Sequence, residues 1–424
     1  MGMFSRLLGG KKLNSEYLLA LDIGTELVKA LIFKVDEKTG KGIAIGIGKV
    51  RQQLGNMNSG AVSDISGVIQ SCEDAIIVAQ KMAGVEDVED TIVGIAGELV
   101  KGTTTTVHYE RTKPEVRIDI PEIKNIIQKV QWKAFDRIRR QLAWETGHNE
   151  IDVQLINASI INVKIDGYRV TNPVGFQGRD VSIGIFNAYA PMLHLGALES
   201  IIDELGLKLI SVVAEPYAVV KSMGVEDNLD FGAIFIDIGG GTTDIAVVRS
   251  GGLEGTVMFA LGGRAFTKRI SHDLNVEFSR AEDLKIKYAT GKLDEKKIYK
   301  LNEILEEDCR VWLSGLEIAL ENFSSSRIDL LPSKILLCGG GSGLPGIYRA
   351  LNSDNWYRNL PFAKKPTIGF IQPRDVVNII DKTKMLRNPQ DVTPMGLANL
   401  AIDMNSDEAV LNDMLKKAVK MIQK

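Results

Sequence analysis

Residues 17–35 read Tyr-Leu-Leu-Ala-Leu-Asp22-Ile-Gly24-Thr25-Glu-Leu-Val-Lys29-Ala-Leu-Ile-Phe-Lys-Val35. Two apolar runs flank a tight Asp-x-Gly-Thr turn, which predicts strand, turn, strand. The theme returns within residues 232–249, where Ala233 to Val248 read Ala-Ile-Phe-Ile-Asp237-Ile-Gly239-Gly240-Gly241-Thr242-Thr243-Asp244-Ile-Ala-Val-Val. A repeated Asp-x-Gly hairpin predicts two domains of similar design facing each other. A third apolar strand, Lys334 to Cys338, ends in Gly339-Gly340-Gly341-Ser342-Gly343.

Outward from these hairpins the chain alternates strand and helix patterns. Ile43 to Val50 reads as a strand, Ser63 to Ala83 as a helix and Asp90 to Ile95 as a strand. The Thr-rich stretch from Gly102 to Pro114 reads as a boundary. Pro121 to Glu145 predicts a long amphipathic helix with proline in its first turn. Strand-like runs at 152–164 and 180–189 follow, with Asp166-Gly167 as a turn. Met192 to Leu205 reads as a helix and Lys208 to Val213 as a buried strand. These patterns divide the chain into a tail (1–16), a first α/β domain (17–111 and 193–228), an inserted α+β unit (112–192), a second domain (229–402) with a helical part near 264–325, and a terminal helix (403–424).

Glycine at such turns lets backbone approach an anion without Cβ interference, and neighbouring N–H groups can hold phosphate oxygens. Gly24, Gly239, Gly240 and Gly241 are the candidates, with hydroxyl donors Thr25, Thr242 and Thr243 and the cation Lys29, which can reach back over the first turn. Asp22 and Asp237 repel phosphate but suit a hydrated Mg²⁺, which takes one or two carboxylates, waters and phosphate oxygens.

Composition narrows the classes further. The 424 residues are 45% hydrophobic and 25% charged, an ordinary globular balance. A net charge of −3 leaves no global basic field for nucleic acid. Three widely spaced cysteines (Cys72, Cys309, Cys338) and four isolated histidines form neither a disulfide framework nor a zinc site, and fit a reducing cytosol. No run of 18 apolar residues occurs, and Met1 to Lys12 lacks the features of a secretory signal.

Asp22-x-Gly24-Thr25-x-x-x-Lys29 resembles the first phosphate motif of the actin-like ATPase superfamily, and Asp237 to Asp244 the second. Leu337 to Ser342, including Gly339, Gly340, Gly341 and Ser342, resembles its adenosine motif. Ala214-Glu215-Pro216-Tyr217-Ala218 and Pro394-Met395-Gly396-Leu397-Ala398 resemble its two connecting segments. The resemblance implies ATP and Mg²⁺ between two ribonuclease-H-like domains. It further implies that Gly262, Gly263, Thr267, Glu282 and Lys285 lie near the nucleotide, the last two toward ribose or adenine.

The 112–192 unit, with Val163 to Tyr168 and Asn172-Pro173-Val174-Gly175-Phe176-Gln177-Gly178-Arg179, is similar to the subdomain of the FtsA cell-division family. The PilM pilus-assembly proteins share it; the three intact glycines of the second hairpin favour FtsA. That resemblance implies a filament-forming protein that tethers FtsZ, through its C-terminal peptide, to the inner face of the cell membrane, and at most a slow ATPase. A PilM-like pilus scaffold and a small-molecule kinase are the alternatives. FtsA proteins usually carry a small residue where this chain has Glu215, which either positions water for phosphoryl transfer or serves as the acid of a helix N-terminus.

At the C-terminal end, Leu411, Met414, Leu415, Ala418 and Ile422 share a helical stripe, opposite Lys416, Lys417, Lys420 and Lys424. A basic amphipathic helix predicts interfacial membrane contact; a helix docked on the core, with its lysines in solvent, is the other reading.

Overall fold

In a computed structural model, residues 15–97, 100–147, 152–225, 228–323, 330–353, 355–404 and 415 are described. The first half runs β1 (Leu18–Ile23), β2 (Leu27–Val35), β3 (Gly42–Arg51), the short pair β4 (Met57–Asn58) and β5 (Ala61–Val62), α1 (Ile65–Ala83), β6 (Asp90–Ile95), β7 (Lys101–Glu110), α2 (Ile120–Thr146), β8 (Val153–Ile165), β9 (Tyr168–Arg169), β10 (Asp180–Pro191), α3 (Met192–Glu204), β11 (Lys208–Ala214) and α4 (Glu215–Lys221). The second runs β12 (Ala233–Ile238), β13 (Thr243–Arg249), β14 (Gly252–Phe259), α5 (Gly263–Leu274), α6 (Phe278–Ala289), α7 (Glu295–Glu321), β15 (Lys334–Cys338), α8 (Pro345–Asn352), β16 (Thr367–Phe370), β17 (Ile379–Asp381) and α9 (Val392–Asp403).

Both predicted hairpins form. β1 is buried along its whole length, as expected of a strand covered on both faces. It pairs antiparallel with β2 and parallel with β6. β12 repeats this arrangement between β13 and β15. The first sheet has the order β11-β6-β1-β2-β3-β17. The second has the order β16-β15-β12-β13-β14-β7-β10-β8-β9, so the inserted unit continues the second domain's sheet. One core spans the first domain and one face of the second domain's strands, a second lies on their other face, and the inserted unit has a third, in which α2 lies on β7 and β10. Asp119 caps α2 by accepting from the Glu122 amide at 2.8 Å.

Three expectations change. The Thr-rich run is not a boundary: it is β7, paired with β10 over its whole length. Thr is β-branched and suits a strand, so its polarity misled the reading. The second change concerns residues 371–402, assigned by pattern to the second domain. β17 pairs with β3, and α9, with Met395, Leu397 and Ala401 buried, packs on β1, β2, β6 and α4 of the first domain. Periodicity identifies an apolar helix face but not which core receives it.

The third change is at Leu415, assigned to a membrane-facing stripe. It is only 3% exposed and packs in the core of the inserted unit. In this arrangement that side chain is a core element. Leu411, Met414, Lys416, Lys417, Ala418, Lys420 and Ile422 lie outside the described residues. Among the described residues, no helix is long and apolar enough to cross a membrane.

Candidate functional site

The two hairpin turns meet face to face. A Cβ on Gly240 would lie 2.7 Å from the Glu26 Cβ, and one on Gly241 would lie 2.8 Å from Thr25 Oγ1. No other residue type fits these contacts without moving a loop. The start of α5 packs onto the same turn: the Gly263 amide donates to the Gly239 carbonyl at 2.9 Å and the Arg264 amide to that of Gly240 at 2.7 Å. Gly339 takes φ +82° at the end of β15, where a Cβ would overlap the Asp237 carboxylate. Thus the predicted Gly24, Gly239–Gly241, Gly262–Gly263 and Gly339 run together around one point.

Cross-strand register decides the electrostatics there. Asp22 stands opposite Lys29, and its carboxylate accepts from the Lys29 ammonium at 2.7 Å. Asp237 stands opposite another carboxylate, Asp244. Burial alone would lower the Lys29 pKa, but Asp22, Asp237 and Glu215 raise it on balance. Burial pushes Asp244 up to about 7, helped by the Asp237 charge and opposed by a bond from the Thr242 hydroxyl at 2.9 Å. Asp237 is also raised, first by burial, although it accepts from the Thr393 hydroxyl at 2.7 Å. Glu215, the first residue of α4, is pushed well above the ordinary carboxyl range by burial and then by Asp22, Asp244 and Asp237. Three carboxyls, Asp22, Asp237 and Glu215, therefore share one largely buried lysine, with Asp244 beside them.

That excess of desolvated negative charge fits a cation. No group of three or more Asp, Glu, His or Cys among the described residues is placed to hold a metal directly. Asp22 and Asp237 remain the carboxylates available to a hydrated ion.

The remaining residues sort by what their polar atoms already do. Thr25 Oγ1 accepts from the Gly60 amide at 3.1 Å. Thr243 is corrected: its buried hydroxyl donates to the Leu261 carbonyl at 2.7 Å and accepts from the Trp312 indole at 2.9 Å. Thr242 belongs to the turn and donates to Asp244, whereas Thr243 opens β13 with its hydroxyl engaged in the interior. Lys285 bonds to Glu282 at 2.8 Å and to the Gly263 carbonyl and Thr267 hydroxyl at 2.9 Å. This buried cluster leans on the α5 turn next to Gly239 and Gly240. Ser342 donates to the Gly339 carbonyl at 2.7 Å, and Gly340 and Gly341 open the 3₁₀ turn beyond it.

Two participants went unnoticed in the sequence. Asp244 was quoted within its motif without a role. Arg264 gave no signal at all. Its guanidinium donates to Glu26 at 2.8 Å and to the carbonyls of Thr25 and Met57, bridging the second domain to the first hairpin.

The paired sheets and facing glycine hairpins define an actin-like fold. The chain superposes on the PilM-PilN type IV pilus biogenesis complex with a TM-score of 0.65, at 16% identity over 94% of this chain and all of that one. Within that class the sequence similarity is to FtsA proteins. The family model "Cell division protein FtsA" matches residues 234–396. The chain is 26% identical to cell division protein FtsA of Streptococcus pneumoniae, over 78% of this chain and 72% of that protein. It is also 26% identical to the Pseudomonas aeruginosa protein of that name, over 93% and 91%.

Proposed function

We propose that the chain binds ATP with Mg²⁺ between its two hairpins, polymerises, and tethers the FtsZ division ring to the inner face of the cell membrane. The observation that carries this reading is the convergence of three glycine runs on one over-charged carboxylate cluster, in a chain whose sequence relatives are cell-division proteins. The backbone amides of Gly24 and Gly239–Gly241 hold phosphate, and Lys29 balances it. Asp22 and Asp237 hold the ion through water. Glu282 and Lys285 hold the ribose and adenine side from α6, with Gly262, Gly263 and the 339–342 turn around them. The bound ion supplies charge neutralisation at the phosphates. Glu215 orients water at the mouth of this cluster, so turnover is slow and ATP acts mainly as a clamp between domains. Membrane contact by the C-terminal stripe requires Leu415 to leave its seat on the inserted unit.

A pull-down with the FtsZ C-terminal peptide, run beside a PilN N-terminal peptide, tests the division reading. Capture by the FtsZ peptide is expected. Capture by the PilN peptide alone would replace it with a pilus scaffold.

A further inference from the structure

A groove of about 410 Å³ lies on the inserted unit, away from the hairpins. Thr104, Thr105 and Thr106 of β7 line one side; Lys133, Asp136, Arg137 and Arg140 of α2 line the other. The three cations recur at intervals of four and three residues, which places them on one face of the helix. All three are exposed. Arg140 pairs with Asp136 at 2.7 Å within the groove lining, which leaves Lys133 and Arg137 as its excess positive charge. Lys133 and Arg137 have no ion pair among the described residues.

The strand side of the groove is unusual in its backbone. β7 pairs with β10 from Lys101 to Glu110. On its other side it pairs with β14 only through Gly102 and Thr103. The Thr104 hydroxyl still donates to the Leu253 carbonyl of β14, and from Thr105 to Glu110 that edge has no strand partner among the described residues. Proteins ordinarily blunt such an edge, because its free N–H and C=O groups accept another strand. Here it is left beside a positive helix face. Thr105 adds an independent sign: its side chain is only 4% exposed, it lines the groove, and its hydroxyl has no hydrogen-bond partner. Buried hydroxyls are nearly always paired, so a partner is implied.

We propose that this groove binds an extended acidic peptide of a partner protein, which adds as a strand to the open edge of β7 while its carboxylates meet Lys133, Arg137 and Arg140. Main-chain hydrogen bonds to β7 from Thr105 onward supply register, and Thr105 Oγ1 bonds to the peptide backbone. Alternate side chains of an added strand point the same way, so every second acidic residue reaches α2. Trp144, four residues beyond Arg140 on the same face and 86% exposed, offers the aromatic surface that anchors such interfaces. A lipid headgroup or a nucleic acid would satisfy the cations but offers no repeating amides to the strand edge. The proposal is independent of nucleotide binding.

The test uses the full chain and a short fluorescein-labelled peptide of alternating Glu and Thr, followed by anisotropy. Three comparisons are needed: the same peptide with alternate amides N-methylated, a Lys-Thr peptide, and vesicles of anionic lipid as competitor. Binding by the acidic peptide is expected, with at least about tenfold loss, equivalent to 1.4 kcal/mol, on N-methylation or in the K133E/R137E variant. Both substituted residues are exposed, and circular dichroism verifies that the variant folds. Equal binding of the N-methylated peptide would overturn strand addition. Unchanged binding in the variant would overturn the groove. Vesicles binding through Lys133 and Arg137 while the peptide does not would make this a membrane face and end the proposal.

Discussion

Asp237 and Asp244 face each other across one hairpin, whereas Asp22 faces Lys29 across the other. That single difference makes the second hairpin costly to bury at neutral pH. Asp244 holds its proton to about pH 7 when folded, whereas an unfolded Asp loses it near 3.8. Between those values the native state binds more protons than the unfolded one. The contribution of Asp244 to stability is therefore full below about pH 4 and is lost as pH rises toward 7, by an amount on the order of a few kcal/mol. Asp244→Asn should flatten this slope and melt higher than the parent at pH 8 without Mg²⁺. Equal melting temperatures for the two proteins from pH 4 to 8 would show that Asp244 is ionised throughout. Glu215 sits in the same field with its carboxyl raised. Glu215→Gln keeps the shape and removes the titration. Phosphate release should drop by about tenfold or more while binding of a labelled ATP persists, as for loss of one positioning group. Undiminished release would leave Glu215 as the acid of the α4 N-terminus.

At the scale of elements, contacts between segments remote in sequence decide behaviour. Arg264 at the start of α5 makes three bonds to the first hairpin region, one of them to a carboxylate. Bonds to charged groups contribute about 1.5–3 kcal/mol each. Arg264→Ala should loosen the two hairpins, and release of a fluorescent ATP analogue, read by stopped flow, should quicken about tenfold. An unchanged release rate would show that the bridge does not gate the cleft. Leu415 offers a second case, since it joins the core beneath α2. Leu415→Ala should cost about 2–5 kcal/mol, as for other large-to-small core changes. Leu415→Glu should cost more and reduce hydrogen-exchange protection in α2. Sedimentation with anionic liposomes then separates the two fates of the segment. Loss of lipid binding in Leu415→Glu marks a residue that exchanges between seat and membrane. Retained lipid binding with lost α2 protection marks a residue of the core alone.

The two domains meet at their hairpin turns, so a ligand there should tie the domains together. ATP with Mg²⁺ should raise the melting temperature by several degrees, because binding to the native state stabilises it by about 2.7 kcal/mol at a hundredfold excess over Kd. Asp22→Ala or Asp237→Ala should shrink the Mg²⁺-dependent part of that rise. ATP-dependent sedimentation of the intact chain reads polymerisation in the same samples. No thermal shift at millimolar ATP would remove the nucleotide reading altogether.

The hairpins were legible by sequence alone because they are local. An apolar run, an Asp-x-Gly turn and a second apolar run specify β1–β2 and β12–β13 without help from distant residues. The same holds for α2, whose capping aspartate, first-turn proline and periodicity coincide. What the tertiary structure decided depends on distant partners. A polar run of threonines became β7 because β10 was there to pair with it. The apolar α9 and β17 joined the first domain because its sheet and α4 present the matching surface. Thr243 was turned into the interior at the opening of β13, and Arg264 was recruited by a loop far earlier in the chain. Leu415 fitted a lipid face and a protein core equally well by its stripe; only the surrounding side chains of the inserted unit assigned it to a core. Hydrophobic periodicity records that a face is buried, whereas the identity of what buries it lies in contacts between residues far apart in the chain.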